Sequence, residues 1–404
     1  MAINSEIADG LDELEADFLA TFVWNSTSCD CLVGAESRSV GAGEFGLESL
    51  AELTLVVQLA QFDKHPHLSV VRVFFFCLLG IWTLTGCRTV PCDSTWQRFE
   101  YVAPEMGVKF HLRFYAPSRA TAERVARLAY GRVEELNSIF SDYSPSSELN
   151  RLCAKPHGKP IQVSSDLFDI IQQSQRLSRG TGGVFDITTG PSVRLWRQSR
   201  KRAQMPAADS LSTATKRIGF RKIKLDSHGR TITLLASGMQ LDLGGIAKGY
   251  AVDEAMRILE QNGIRRAFVA ASGDMLTSGP PVGSEGWRVD IRAVDEFGNI
   301  YPRTILLKHQ ALSTSGDTEQ FVEINGRRYS HIVDPRTGIG LTNRIAVTVV
   351  AASSTVADSR ATAISVLGVK KGMDYANSKN LQVLILTMGN KKHRLIKSSH
   401  WKLW

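Results

Sequence analysis

The uncharged, mostly apolar run at residues 73–84 sets the strongest limit on how this chain can be organised. As a helix, twelve residues rise about 18 Å, short of the roughly 30 Å hydrocarbon core of a bilayer. The run is therefore not expected to span a membrane. Basic residues Lys64 and Arg72 precede it, which is the layout of a signal peptide: a positive flank, then a short hydrophobic core. A buried core helix is the competing reading. Downstream, the chain has an ordinary globular composition, with 43% hydrophobic and 22% charged residues overall.

The run ends in Leu84-Thr85-Gly86-Cys87, which resembles the lipobox of bacterial lipoproteins, where cleavage precedes a lipid-bearing cysteine. On this reading residues 64–86 are the signal peptide, Cys87 is the lipidation site and 87–98 form a tether. The protein is then expected to be exported and membrane-anchored, facing the periplasm or the cell exterior. The signal lies unusually far into the chain, and two explanations stay open. Translation begins later, near residues 68–71, or residues 1–63 are a genuine extension ahead of an internal signal.

Charge is distributed unevenly. Residues 1–63 hold 12 Asp and Glu and a single basic residue, Arg38, leaving 47 Lys and Arg against 28 Asp and Glu in the remainder. A basic body suits anionic partners such as a membrane surface or a phosphate-bearing ligand. No zinc-finger or RNA-recognition pattern is present, so nucleic acid is not an expected partner. Six cysteines, with no zinc-ligand spacing around Cys29 and Cys31, exclude a disulfide-stapled scaffold.

From residue 99 the chain reads as mixed strands and helices without regular βαβ alternation, an α+β pattern forming one domain over 99–395, with 396–404 as a C-terminal tail. Residues 107–115 alternate apolar and polar side chains, as a half-buried strand does. A helix follows Pro117-Ser118, with Val125, Leu128, Ala129, Val133, Leu136 and Phe140 on one face. Further helices are expected at 166–177, 251–262 and 355–367, the last closed by Gly368. A hairpin is expected at 230–235 and 239–243, and strands at 267–271, 287–292, 304–308, 329–333, 345–352 and 381–387.

Four Gly- and Asp-bearing segments fall at expected turns or helix starts: Gly182 to Asp186, Leu241 to Tyr250, Ser313 to Asp317, and His331 to Gly338. Glycine at a strand-to-helix turn lets backbone N–H groups approach an anion closely. A helix N-terminus near Gly245 adds its dipole and Lys248 adds a full charge. In a fifth segment, Asp358 and Thr362 are four residues apart and share a helix face. Their oxygens are hard donors suited to Mg2+ or Ca2+, although a solvated Asp and a back-bonded Thr would show the same spacing. The P-loop and GxGxxG patterns are absent, which disfavours a Walker ATPase or a Rossmann enzyme.

Taken in order, the runs DLGGIAKGYAVD, HIVDPRTG and ADxxAT resemble the ApbE family of flavin transferases over residues 106–368. The resemblance implies an ApbE-type α+β domain that uses FAD as substrate and Mg2+ as cofactor. It assigns FAD contacts to Met106, Tyr143, Val184, Phe185, Asp186, Asp242, Lys248 and Ile332. It assigns metal ligation to the Gly245 carbonyl and to the Asp358 and Thr362 side chains. His331 borders the reacting phosphate and is a candidate general base, with Asp317 or Asp334 as substitutes. Implied acceptors are flavoproteins of membrane respiratory complexes.

The sequence departs from the family pattern at Val108 and Asp142, each replacing a Thr, at Ile187 to Pro191, and at Arg360 beside the metal helix. None removes an expected ligand. The implied reaction moves FMN from FAD to a Thr or Ser hydroxyl and releases AMP. An FAD pyrophosphatase and a non-catalytic flavin-binding lipoprotein are the alternatives.

Overall fold

The computed structural model describes residues 96–316, 320–388 and 392–403. The extension, the signal segment, Cys87 and Asp317 lie outside the described residues. No helix among the described residues is long and apolar enough to cross a membrane.

The body opens with a hairpin, β1 (Gln97–Glu105) and β2 (Val108–Ala116), so its first strand starts inside the range expected for the tether. Met106 and Gly107 form the two-residue turn, both with positive φ, 51° and 74°. That is the type I′ requirement, which glycine meets freely and methionine only under local constraint. In β2, Phe110, Leu112 and Phe114 are fully buried, as the alternation indicates. Ser118 then caps α1 (Arg119–Phe140), its hydroxyl accepting from the Thr121 amide at 3.2 Å. The buried stripe is Val125, Ala129, Val133, Leu136 and Phe140; Leu128, expected on that face, is 47% exposed.

Next come α2 (Glu148–Ala154), β3 (Ile161–Gln162), α3 (Ser165–Gly180), α4 (Gly190–Arg202) and α5 (Ala208–Thr215). Strands β4 (Ile223–Asp226) and β5 (Thr231–Leu234) pair with each other, and β5 also pairs with β3. The hairpin expected around Gly238 does not form. Residues 239–243 are extended loop, and their alternating Met239, Leu241 and Leu243 are buried by packing into the main core. Alternating burial needs only an extended backbone against a surface, so it does not by itself require a ladder.

The rest of the chain builds the central sheet. In order come α6 (Ala247–Gln261), β6 (Ala267–Ala271), β7 (Asp274–Thr277), β8 (Trp287–Val294), β9 (Ile300–Leu307) and β10 (Ala311–Gly316). They are followed by β11 (Phe321–Ile324), β12 (Arg327–Ser330), β13 (Ile345–Ala351), α7 (Ser354–Ser378), β14 (Gln382–Met388) and β15 (His393–Lys397). The eight-stranded sheet has the order β1-β2-β6-β7-β10-β13-β14-β15 and is antiparallel throughout. On one face, α7 packs Ala357, Ala361 and Ile364 against Val347, Val349 and Ile385 of β13 and β14. On the other, Trp287, Ile291 and Leu307 of the β8–β9 hairpin cover Phe268, Leu312 and Leu384.

Trp401 joins that second layer at 8% exposure, so packing continues past residue 395. The last expected helix is interrupted at Gly368, as its glycine suggests, but resumes to Ser378. The break has φ 73° and ψ −179°, a combination open essentially to glycine. The α+β class expected from the sequence is the observed one, with seven α-helices among the described residues.

Candidate active site

The site assembles where α6 meets the first turns of α7. Gly249 of α6 has no room for a side chain: a Cβ would lie 2.4 Å from the Ser354 carbonyl oxygen and 2.9 Å from the Asp358 Cβ. That close approach lets the Gly249 amide donate to the Asp358 carboxylate at 3.1 Å. Asp253, one turn further along α6, accepts from the Ser354 and Thr355 amides at 2.7 and 2.9 Å and from the Thr355 hydroxyl at 2.5 Å. It thereby satisfies amides at the N-terminus of α7, which Ser353 also caps.

Asp358 is 2% exposed, and burial pushes its carboxyl up to about 7. Asp274 and Asp253 add to the shift; Lys248 and the Gly249 amide oppose it. Lys248 forms a partly buried ion pair with Asp274, whose carboxylate is the buried partner. Burial disfavours its charge, but Asp274 and Asp358 outweigh that and raise its pKa. Asp274 also accepts from the Ser313 hydroxyl at 2.5 Å, which ties β7 and β10 to α6. Thr362 faces Ser315, their hydroxyl oxygens 3.4 Å apart, and a Cβ on Gly245 would stand 3.2 Å from the Thr362 Oγ1.

Among the described residues, no three His, Cys, Asp or Glu side chains cluster to hold a metal. The donor set at this point is instead one carboxylate, hydroxyls and the backbone of a glycine packed against Thr362. Such hard oxygens fit Mg2+, which commonly takes one or two carboxylates and completes its shell with water and substrate phosphate. Arg360, on the same helix, lies within electrostatic reach of the Tyr375 hydroxyl.

A second group lies around α4. Arg197 donates to Asp142 at 2.5 Å and to Asp242 at 3.1 Å, and its guanidinium sits 4.2 Å from the centre of the Tyr143 ring. Tyr143 is otherwise 75% exposed. Burial raises the Asp242 carboxyl, with Asp142 adding and Arg197 opposing, while Asp242 also accepts from the Gly244 amide at 2.7 Å. The Asp242 amide donates to the Ile187 carbonyl at 2.8 Å, joining this segment to the one that carries Val184 to Asp186.

Val184 and Ile332 meet in a small apolar cluster with Leu341, Val366 and Leu367. Phe185 is buried in the main core. The Asp186 carboxylate is taken up internally: it accepts from the Thr188 amide and hydroxyl at 2.8 and 2.6 Å and from the Phe220 amide at 2.8 Å. Met106 packs at the edge of the main core from its hairpin turn.

His331 follows β12. Its Nδ1 lies 3.2 Å from the Gln320 carbonyl oxygen, which can only accept, so Nδ1 carries the proton and Nε2 is left with its lone pair. Burial lowers its pKa to about 4; the Gln320 carbonyl opposes the shift, and Arg200 and Lys248 add to it. Asp334 is engaged elsewhere. Both of its carboxylate oxygens accept from Arg336, at 2.9 and 2.6 Å, and its backbone carbonyl closes the turn to Gly338 at 2.8 Å. The local turn is its evident task, which leaves His331 the freer base.

Residues 106–385 match the model of the ApbE family. The chain belongs to that family. An FAD:protein FMN transferase of Haemophilus influenzae is 29% identical over 290 residues, covering 70% of this chain and 84% of the relative. The Vibrio cholerae protein of the same name is 28% identical, covering 82% of this chain and 98% of the relative. Among solved ApbE structures, the flavinyl transferase of Pseudomonas stutzeri, in its apo form, superposes with a TM-score of 0.69 at 27% identity. That match covers 76% of this chain and 96% of the other.

Three residues that sequence reasoning passed over take part in this geometry: Asp253, Asp274 and Arg197. Asp253 closes the DLGGIAKGYAVD run, and its spacing of one helical turn from Gly249 was the available signal. Asp274 and Arg197 meet their partners across 26 to 55 residues of chain, a pairing that no local pattern announces.

Proposed function

We propose that this protein is an Mg2+-dependent FAD:protein FMN transferase, exported and held at a membrane by lipid on Cys87. The observation that carries the catalytic reading is the Asp358, Thr362 and Gly245 donor set beside the Lys248–Asp274 pair. Family membership and the names of the relatives support it.

Asp358, Thr362 and the Gly245 carbonyl would hold the metal. When bound, Mg2+ supplies charge neutralisation at the pyrophosphate. The remaining tasks fall to the chain itself. Lys248 stays protonated beside Asp274 and adds positive charge where the phosphates sit. Tyr143, with Arg197 against its ring, offers an aromatic contact for the flavin. The His331 Nε2 accepts the proton of an acceptor Thr or Ser hydroxyl as its oxygen bonds to the FMN-side phosphorus. The bridging P–O bond breaks, and AMP leaves with the bond's electron pair. Acceptors are proposed to be flavoproteins of membrane respiratory complexes.

Incubation with FAD and Mg2+, with and without a Thr-bearing acceptor, tests the reading through its products. A transferase releases AMP in step with acceptor labelling. Free FMN and AMP formed equally well without acceptor would make it a pyrophosphatase, and intact FAD under both conditions would make it a binding protein.

A further inference from the structure

Helix α4 carries a run of cations, Arg194, Arg197, Arg200, Lys201 and Arg202, and is held rigidly beside the site. Its anchor is Trp196. The indole N–H donates to the Ser330 carbonyl at 2.9 Å, and the ring meets Tyr329 edge-on with centres 5.5 Å apart. Gly340 presses on the same ring, so closely that a Cβ there would be 2.7 Å from it. The contact pins α4 to the end of β12, one residue before His331. Arg200 lies one helical turn beyond Trp196, hence on the same face.

Arg194, Arg197 and Arg200 differ in how their charge is met. Arg197 is paired with Asp142 and Asp242. Arg194 donates to the Asn150 side chain at 2.9 Å. Arg200 has no carboxylate partner among the described residues, and its Nε is buried without an acceptor. Burial lowers its pKa, the nearby Tyr143 hydroxyl opposes that, and Arg197 adds to it. Its positive charge also reaches His331. Arg200 is therefore half-buried within electrostatic reach of both the proposed flavin contact and the proposed base, and its Nε has no acceptor. A guanidinium shielded at Nε and lacking an anion is costly, and its planar fork matches phosphate oxygens.

We propose that Arg200 is a further substrate-contacting residue, donating to the pyrophosphate of FAD and so selecting a phosphate-bearing flavin over riboflavin. This rests on the transferase reading above but assigns a residue that reading does not use. Sequence motifs gave no notice of it, because it belongs to none of them.

The test compares FAD and riboflavin binding, by flavin fluorescence, in the wild type and in Arg200→Gln and Arg200→Met, with His331 followed by NMR titration. Removing one charge-assisted hydrogen bond is expected to weaken FAD binding by about 10- to 100-fold while leaving riboflavin binding unchanged. Without the guanidinium charge, the His331 pKa should also rise in the ligand-free protein. Wild-type FAD affinity in both variants, equal weakening for FAD and riboflavin, or an unmoved His331 would overturn the proposal. The two readings fail separately. If the wild type labels its acceptor but the variants bind FAD normally, Arg200 alone is dismissed. If FAD is never cleaved yet the variants lose phosphate selectivity, the transferase reading fails and Arg200 stands.

Discussion

The Gly249 amide donates to the Asp358 carboxylate at 3.1 Å, joining the glycine-rich start of α6 to the acidic turn of α7. Two sequence motifs more than a hundred residues apart thus become one site, and the junction depends on a missing side chain. Gly249→Ala places a methyl group against the Ser354 carbonyl and the Asp358 Cβ. Overpacking of this kind costs about 1 to 3 kcal/mol. Urea denaturation is expected to show that loss, and a midpoint equal to wild type would mean that the helices part without cost.

Asp358→Ala tests the metal set. Removing the carboxylate should abolish FAD cleavage and weaken Mg2+ binding, the latter read by calorimetry, while the fold persists. A loss of about 4 kcal/mol in barrier stabilisation corresponds to a thousandfold in rate. Wild-type turnover in the variant, or undiminished activity in excess chelator, would remove Asp358 from the metal site.

How much of this was open to sequence reading varies by element. The buried stripe of α1 and the alternation of β2 were legible because each element buries one face at its own period. The extended segment 239–243 mimicked a strand for the same reason, its alternating residues being buried without a ladder. Asp186 shows a different limit. Its motif position suggested a ligand contact, yet its carboxylate is occupied by Thr188 and Phe220 donors. A motif identifies which residue matters but not whether its side chain faces the ligand or the scaffold. Helix α4 was missed altogether, since its polar, arginine-rich second half shows no wide apolar stripe.

His331 gives the pH dependence. Its pKa in the folded protein is about 4, below the ordinary histidine value of 6.5. Between these values the unfolded chain binds more protons than the folded one, so stability rises with pH across that window and is lost as pH falls through it. His331→Gln should flatten stability between pH 4 and 6.5. The variant should bind FAD yet label acceptor about 10²- to 10⁴-fold more slowly. Equal decline in binding and labelling would reduce His331 to a wall of the pocket.

Arg197→Ala is expected to leave Asp142 and Asp242 without their shared cation and Tyr143 without its stacking partner. Breaking a partly buried pair by removing one member costs more than the pair contributes. FAD affinity should fall, and adding Asp142→Thr should recover part of the loss by relieving one unpaired carboxylate. If the double variant is weaker than the single one, the Arg197–Asp142 link is not what holds Tyr143 in place.

The proposed export rests on Leu84-Thr85-Gly86-Cys87 after the apolar run. Cys87→Ala should abolish acylation and release the protein from membranes, as fractionation with N-terminal mass analysis would show. A mature wild-type chain without lipid on Cys87 would contradict the anchor.

The central claim is transfer to protein, and intact-mass spectrometry of the acceptor reads it most directly. With this protein, FAD and Mg2+, the acceptor should gain the mass of one phosphoester-linked FMN, and a Thr→Val acceptor should gain none. An acceptor of unchanged mass after FAD has been consumed would contradict the account.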